Sequence, residues 1–111
     1  MPTPQTIDRT LTALADPTRR AILQRLSSGE ARVTDVAQPF NMSLNAVSKH
    51  ILVLERAKLV KRRKVGRDHY LSYRPEPLDA AAKWIAETRT FWASRLDALE
   101  QLLRDEDAAN R

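Results

Sequence analysis

Apolar residues recur along this chain in several short helical rhythms, then in two extended runs, then in one long final rhythm. Ile7, Leu11, Leu14 and Ala15 repeat at three-to-four spacing and predict a first helix after a loose tail over residues 1–6. Asp16-Pro17 predicts a restart, because an Asp side chain accepts from orphan amides and Pro at the first helical position lacks only an N–H the helix never uses. The second helix runs to about Ser27, with Ile22, Leu23 and Leu26 inward and Gly29 ending it. A third helix, N-capped by Thr34, turns Val36, Ala37 and Phe40 inward and is cut short by Pro39. Asn41-Met42-Ser43 predicts a tight turn in which Ser43 caps a fourth helix, from Leu44 to about Ala57. Leu59 to Val65 and His69 to Tyr73 then read as strands flanking Gly66-Arg67-Asp68 in a hairpin. Pro75 and Pro77 hold off helix until Leu78. A long last helix over 78–104 then carries Trp84, Ile85, Thr88, Phe91, Trp92, Leu96, Leu99, Leu102 and Leu103, followed by a loose polar tail over 105–111.

On a helical wheel, Leu44, Val47, Ile51 and Leu54 share one face of the fourth helix and are expected in the core. The opposite stripe is Asn45, Ser48, Lys49, Leu52 and Arg56. Charge changes how that stripe reads. Ser48 to Arg74 holds nine Lys/Arg against Glu55 and Asp68, a net +7, and leaves the other residues at −2. Charge gathered into a quarter of the chain suits one polyanion, whereas a uniformly basic surface suits any; the alternative is a solvated patch or a lysine-protected strand edge. A short helix, a tight turn, a helix and a basic hairpin together form a winged helix-turn-helix over residues 7–104, mostly α with a small two-stranded wing and about five helices. Double-stranded DNA is then the expected partner. Ser43, Asn45, Ser48 and Lys49 are candidates for the groove: Asn pairs with adenine, Lys reaches guanine acceptors and Ser serves base or phosphate. Arg56, Arg63 and Lys64 are candidates for phosphates, and Arg67, at the wing tip, for the minor groove.

Other functions find little support. With 111 residues the chain supports one small domain with no room for a deep pocket. It contains no cysteine, which excludes disulfides and thiolate metal sites. No glycine-rich phosphate loop or metal-ligand cluster is present, and Ser48 and His50 do not face each other on their helix, so neither a catalytic site nor a cofactor is expected. Met-Pro-Thr-Pro lacks the marks of a signal peptide and no apolar run suits a membrane span, so a cytoplasmic location is expected. A winged helix serving as a protein-interaction module stays open as the alternative function.

Two blocks, Ala13-Leu14-Ala15-Asp16-Pro17-Thr18-Arg19-Arg20-Ala21-Ile22-Leu23 and Met42-Ser43-Leu44-Asn45-Ala46-Val47-Ser48-Lys49-His50-Ile51, resemble the signatures of ArsR-type winged-helix repressors. Gly66-Arg67 through Tyr73 resembles that family's wing, and the likeness extends from about Leu11 to Leu103. The resemblance implies a homodimeric repressor on an imperfect inverted repeat, with the first and last helices forming the dimer interface. Leu11, Leu14, Trp84, Ile85, Phe91, Trp92, Leu96, Leu99 and Leu103 are the expected interface residues; a small-molecule pocket lined by Trp84, Phe91 and Trp92 is the alternative for the aromatics.

Lys58 and Asn41 stand where the family commonly has glycine. The metal-sensing branches of the family bind through cysteines on the third helix or carboxylates and histidines on the last. Here the third helix has no cysteine, the last has no histidine, and the two histidines, His50 and His69, fall on the fourth helix and the wing. No metal site is expected, His50 reads as a packing residue, and the inducing ligand stays unidentified.

Overall fold

The computed structural model describes residues 3–110. Within them lie five helices and three strands: α1 (Pro4–Leu14), α2 (Pro17–Leu26), β1 (Ala31–Arg32), α3 (Val33–Ala37), α4 (Leu44–Arg56), β2 (Val60–Val65), β3 (Asp68–Tyr73) and α5 (Glu76–Ala109). The chain divides into two compact units at Ala81 and Ala82. Residues 1, 2 and 111, which belong to the two expected tails, lie outside the described residues.

Local chemistry sets most boundaries. Thr3 caps α1 by accepting from the Thr6 amide, so helix starts at Pro4, within the stretch expected to be a tail. Asp16 accepts from the Arg19 amide at 3.1 Å and Ser43 from the Ala46 amide at 3.1 Å, as expected of both caps. Thr34 does not cap α3. Ala31 and Arg32 pair with Leu71 and Tyr70, so extended chain runs to Arg32 and the helix begins at Val33, a residue too early for Thr34 to serve. That bridge also turns the expected two-stranded wing into a three-stranded antiparallel sheet in the order β1-β3-β2.

The α2–α4 framework encloses the core. Ile22 and Leu26 of α2, Val36 of α3, Val47, Ile51 and Leu54 of α4, Leu59 just before β2 and Leu71 of β3 are all buried and form one cluster. Leu44 departs from its expected place: it is 52% exposed, because the first turn of α4 extends past the cluster and burial begins at Val47. In α1 the inward residues are Ile7, Thr10 and Ala13, while Leu11 and Leu14 are half-buried and Ala15 is exposed. Thr10 tolerates burial because its hydroxyl donates to the Thr6 carbonyl at 3.0 Å.

Helix α5 overruns its expected bounds at both ends. Pro77 fits in the first turn, where its missing N–H costs nothing. At the far end, Glu100–Arg104 and Gln101–Asp105 contacts continue the helix past Arg104. Leu78 and Ala81 pack on the core. From Ala82 onward the helix forms the second unit, and Trp84, Ile85, Phe91, Trp92, Leu96, Leu99, Leu102 and Leu103 are each between 44% and 63% exposed.

Lys58 has φ +60. Its amide donates to the Glu55 carbonyl at 2.9 Å and the Leu59 amide to the Leu54 carbonyl at 3.0 Å, the paired bonds of a Schellman motif closing α4. The left-handed conformation costs an L-residue roughly 1–2 kcal/mol, of which glycine recovers part after its own larger entropy loss. Lys58→Gly should therefore stabilise the fold by about 0.5–1 kcal/mol, read in urea melts at fixed protein concentration as a higher midpoint with unchanged slope.

Candidate nucleic-acid interface

Helix α4 shows its polar stripe because its apolar stripe is buried. With Val47, Ile51 and Leu54 turned inward, Asn45, Lys49, Leu52 and Arg56 are exposed and Ser48 is half-buried. Ser43 spends one acceptor position on the Ala46 amide, and its hydroxyl proton stays available to a further acceptor.

The wing stands beside this helix. Gly66 and Arg67 form the two-residue connection between Val65 and Asp68, and Gly66 takes φ +61. A positive φ at the first central position alone is the pattern of a type II′ turn, whose twist suits a hairpin. Strand pairing puts Val60, Arg62 and Lys64 on one face of the sheet with Tyr73, Leu71 and His69, and Lys61, Arg63 and Val65 on the other with Ser72, Tyr70 and Asp68. The first face leans on α4: Arg62 donates through Nε to Glu55 Oε1 at 3.1 Å and through Nη2 to the same oxygen. Its Nη1 lies 3.1 Å from His69 Nδ1. Between α4 and the wing opens a cleft of about 260 Å³, lined by residues that include Arg32, Thr34, Leu44, Ser48, Arg67 and His69.

Ser48 and Arg67 thus meet in one cleft, with Asn45 and Lys49 exposed on the adjoining turns of α4 and Lys64 exposed on the wing. Arg56 belongs elsewhere. It lines a second cleft with Asp8, Arg9 and Thr12 of α1, Val53 of α4 and Ala57, the residue that closes α4. Arg63 is engaged within the protein: its Nη2 donates to Glu30 Oε1 at 2.6 Å and its guanidinium lies 5.0 Å over the Tyr70 ring. The pairing of Arg62 and Arg63 joins residues 7 and 33 positions apart and is invisible to a charge count. His50, one residue from Lys49, touches Arg19 rather than facing outward. Among the described residues no three His, Asp or Glu side chains gather as a metal site, and no helix is long and apolar enough to cross a membrane.

A recognition-type helix held by a preceding short helix and turn, flanked by a basic hairpin, defines the winged helix-turn-helix class. Residues 14–63 match the model of a helix-turn-helix domain family. The chain is 37% identical over 106 residues, 96% of each chain, to the HTH-type transcriptional regulator Rv2034 of Mycobacterium tuberculosis. It is 33% identical over 73 residues to the transcriptional repressor SdpR of Bacillus subtilis, covering 66% of this chain and 81% of that protein. Among solved structures, an ArsR family transcriptional regulator superimposes with a TM-score of 0.79 at 41% identity, covering 83% of this chain and 95% of the other. The homodimeric winged helix-turn-helix DNA-binding domain of Mb0332 from Mycobacterium bovis superimposes with a TM-score of 0.60 at 26% identity, covering 83% and 82%. The chain belongs to the ArsR family of transcriptional regulators, a DNA-binding class without catalytic activity.

Arg63 holds the Glu30 carboxyl below its ordinary value of 4.5, chiefly by its hydrogen bond. A carboxylate depressed in the folded state adds stability that is present above its ordinary value and is lost as pH falls through the depressed one. Glu30→Gln should accordingly melt slightly below the native chain at pH 7, and the gap should close as pH drops below 4.5. Thermal melts of both chains from pH 7 to 3 check this, and a gap constant across the series contradicts it.

Proposed function

We propose that this chain is a repressor acting in the cytoplasm, which binds an inverted-repeat operator as a homodimer and blocks a promoter by occupying it. The observation that carries this is the cleft between α4 and the wing, with Ser48 and Arg67 on its walls and Asn45 and Lys49 exposed beside it. The N-terminal half of α4 enters the major groove, where Asn45, Ser48 and Lys49 meet base edges and Ser43 a phosphate. Lys64 and Arg67 carry the wing along the backbone and minor groove. Arg56 meets phosphates beyond the far end of α4, roughly 16 Å along the axis from Asn45. Arg63 reaches DNA only by leaving Glu30 and Tyr70.

Dimerisation is argued from the uncovered apolar residues of α5, since a stripe of this size is unusual on a monomer. The residues proposed for the interface are Trp84, Ile85, Phe91, Trp92, Leu96, Leu99 and Leu103 of α5 and, on α1, the half-buried Leu11 and Leu14. The related Mb0332 domain is described as homodimeric and SdpR as a repressor, which supports both halves of the proposal.

Two experiments test it. Lys49→Ala should weaken binding to an operator selected from random DNA and relax its sequence preference, and Arg67→Ala should weaken binding and lower the slope of log affinity against log salt by about one. Unchanged affinity in both variants would sink the DNA contacts assigned here. Trp92→Glu should leave a monomer in sedimentation velocity at micromolar concentration and abolish protection of the second half-site, whose centre lies about 34 Å or a multiple of it from the first. A Trp92→Glu chain that still sediments as the native form contradicts the α5 seam.

A further inference from the structure

Arg19 takes no part in the interface described above, yet its side chain bridges α1 and α4. Its Nε donates to the Ala13 carbonyl at 2.8 Å and its Nη2 to the Thr12 carbonyl at 2.9 Å, closing the last turn of α1. Its amide is held by Asp16 Oδ2, the N-cap of α2. Its Nη1 stands 3.3 Å from Nδ1 of His50 in α4. Asp16 Oδ2 is 3.8 Å from the same ring nitrogen. A guanidinium only donates, so a hydrogen bond across this contact uses Nδ1 as its acceptor.

His50 lies at mid-helix, between the buried Val47 and Ile51 and one turn from the exposed start of α4. Leu44 and Asn45 are exposed and the first buried side chain is Val47, so the end of the helix proposed to meet DNA projects outward. Burial of Val47, Ile51 and Leu54 holds the helix down, but apolar contact is non-directional and tolerates small rotations. A hydrogen bond with a preferred distance and angle does not. Lys49 and Ser48 are one and two residues from His50, so a rotation at His50 is passed directly to them.

We infer that Arg19 and His50 are positioning residues for operator recognition, the Asp16–Arg19–His50 cluster keying the rotation of α4 to the end of α1. This rests on the proposal that α4 reads the major groove. Base-edge contacts need the helix in register, whereas phosphate contacts carry no sequence information and tolerate displacement. The cluster therefore sets specificity more than total affinity. Because Leu11 and Leu14 of α1 belong to the proposed dimer seam, the same contacts fix the pitch of each recognition helix against its twofold mate.

The test compares the native chain with His50→Leu and His50→Asn, on an operator selected by the native chain and on an unrelated duplex of equal length in the same salt. Leucine is the better helix former and removes the acceptor; asparagine is close to histidine in helix propensity and offers Oδ1 near the position of Nδ1. His50→Leu should lose operator affinity about tenfold while its affinity for unrelated DNA holds, and His50→Asn should recover most of the loss. Partial unfolding lowers both affinities together, so their ratio separates positioning from stability. A native chain that selects an operator while His50→Leu keeps the full ratio, or while His50→Asn fares no better than His50→Leu, overturns the inference alone. A native chain that selects no operator overturns the DNA proposal and this inference with it.

Discussion

Burial of one stripe of α4 is the constraint on which the other features depend. Val47, Ile51 and Leu54 have no exposed surface, and each such side chain contributes roughly 1.5–3 kcal/mol by leaving water. Polar contacts around them contribute about 1 kcal/mol apiece, so the apolar stripe decides which way the helix faces. Asn45, Lys49 and Arg56 are outward because those three are inward. Leu59 and Leu71, buried in the same cluster, hang the wing from the same core.

The junction between helix and wing is where the backbone departs from ease. Within three residues the chain leaves α4 at Arg56, turns left-handed at Lys58 and enters β2 at Val60. That sharp reversal returns β2 alongside the helix it has just left, which lets Arg62 reach Glu55. A glycine would make the turn at lower cost. Lysine adds a charge at the point where helix and wing meet, an arrangement in which strain is offset by the surrounding core rather than relieved locally.

What could be read from the sequence follows the range of the interaction responsible. The caps at Asp16 and Ser43 were legible because a capping side chain and its amide lie three residues apart. The helical stripes of α2 and α4 were legible for the same reason, except at Leu44, where periodicity knows the face of a helix but not where the core stops. Strand β1 was not legible: two residues give no alternation, and their pairing depends on Leu71 and Tyr70, about forty positions away. The mistaken cap at Thr34 follows from that omission. Thr10 escaped notice because its hydroxyl is satisfied by its own helix, so a polar residue occupies an apolar place.

The basic segment shows the same limit in its electrostatics. A net +7 between Ser48 and Arg74 marks a basic region, yet charge counted along a chain says nothing about where each cation is already committed. Arg62 is held by Glu55 and His69, and Arg63 by Glu30 and Tyr70, on opposite faces of one sheet. Their guanidiniums stiffen the wing from both sides. Lys64 and Arg67 then project from a braced hairpin, which would lower the entropy lost in the phosphate contacts proposed for them. Arg19 and Arg20 extend the division of labour: both donate to carbonyls at the end of α1, at Thr12, Ala13 and Leu14. Arg19, Arg20, Arg62 and Arg63 are thus committed to contacts within the fold, whereas Arg67 is exposed at the hairpin turn, and only the three-dimensional pairing tells them apart.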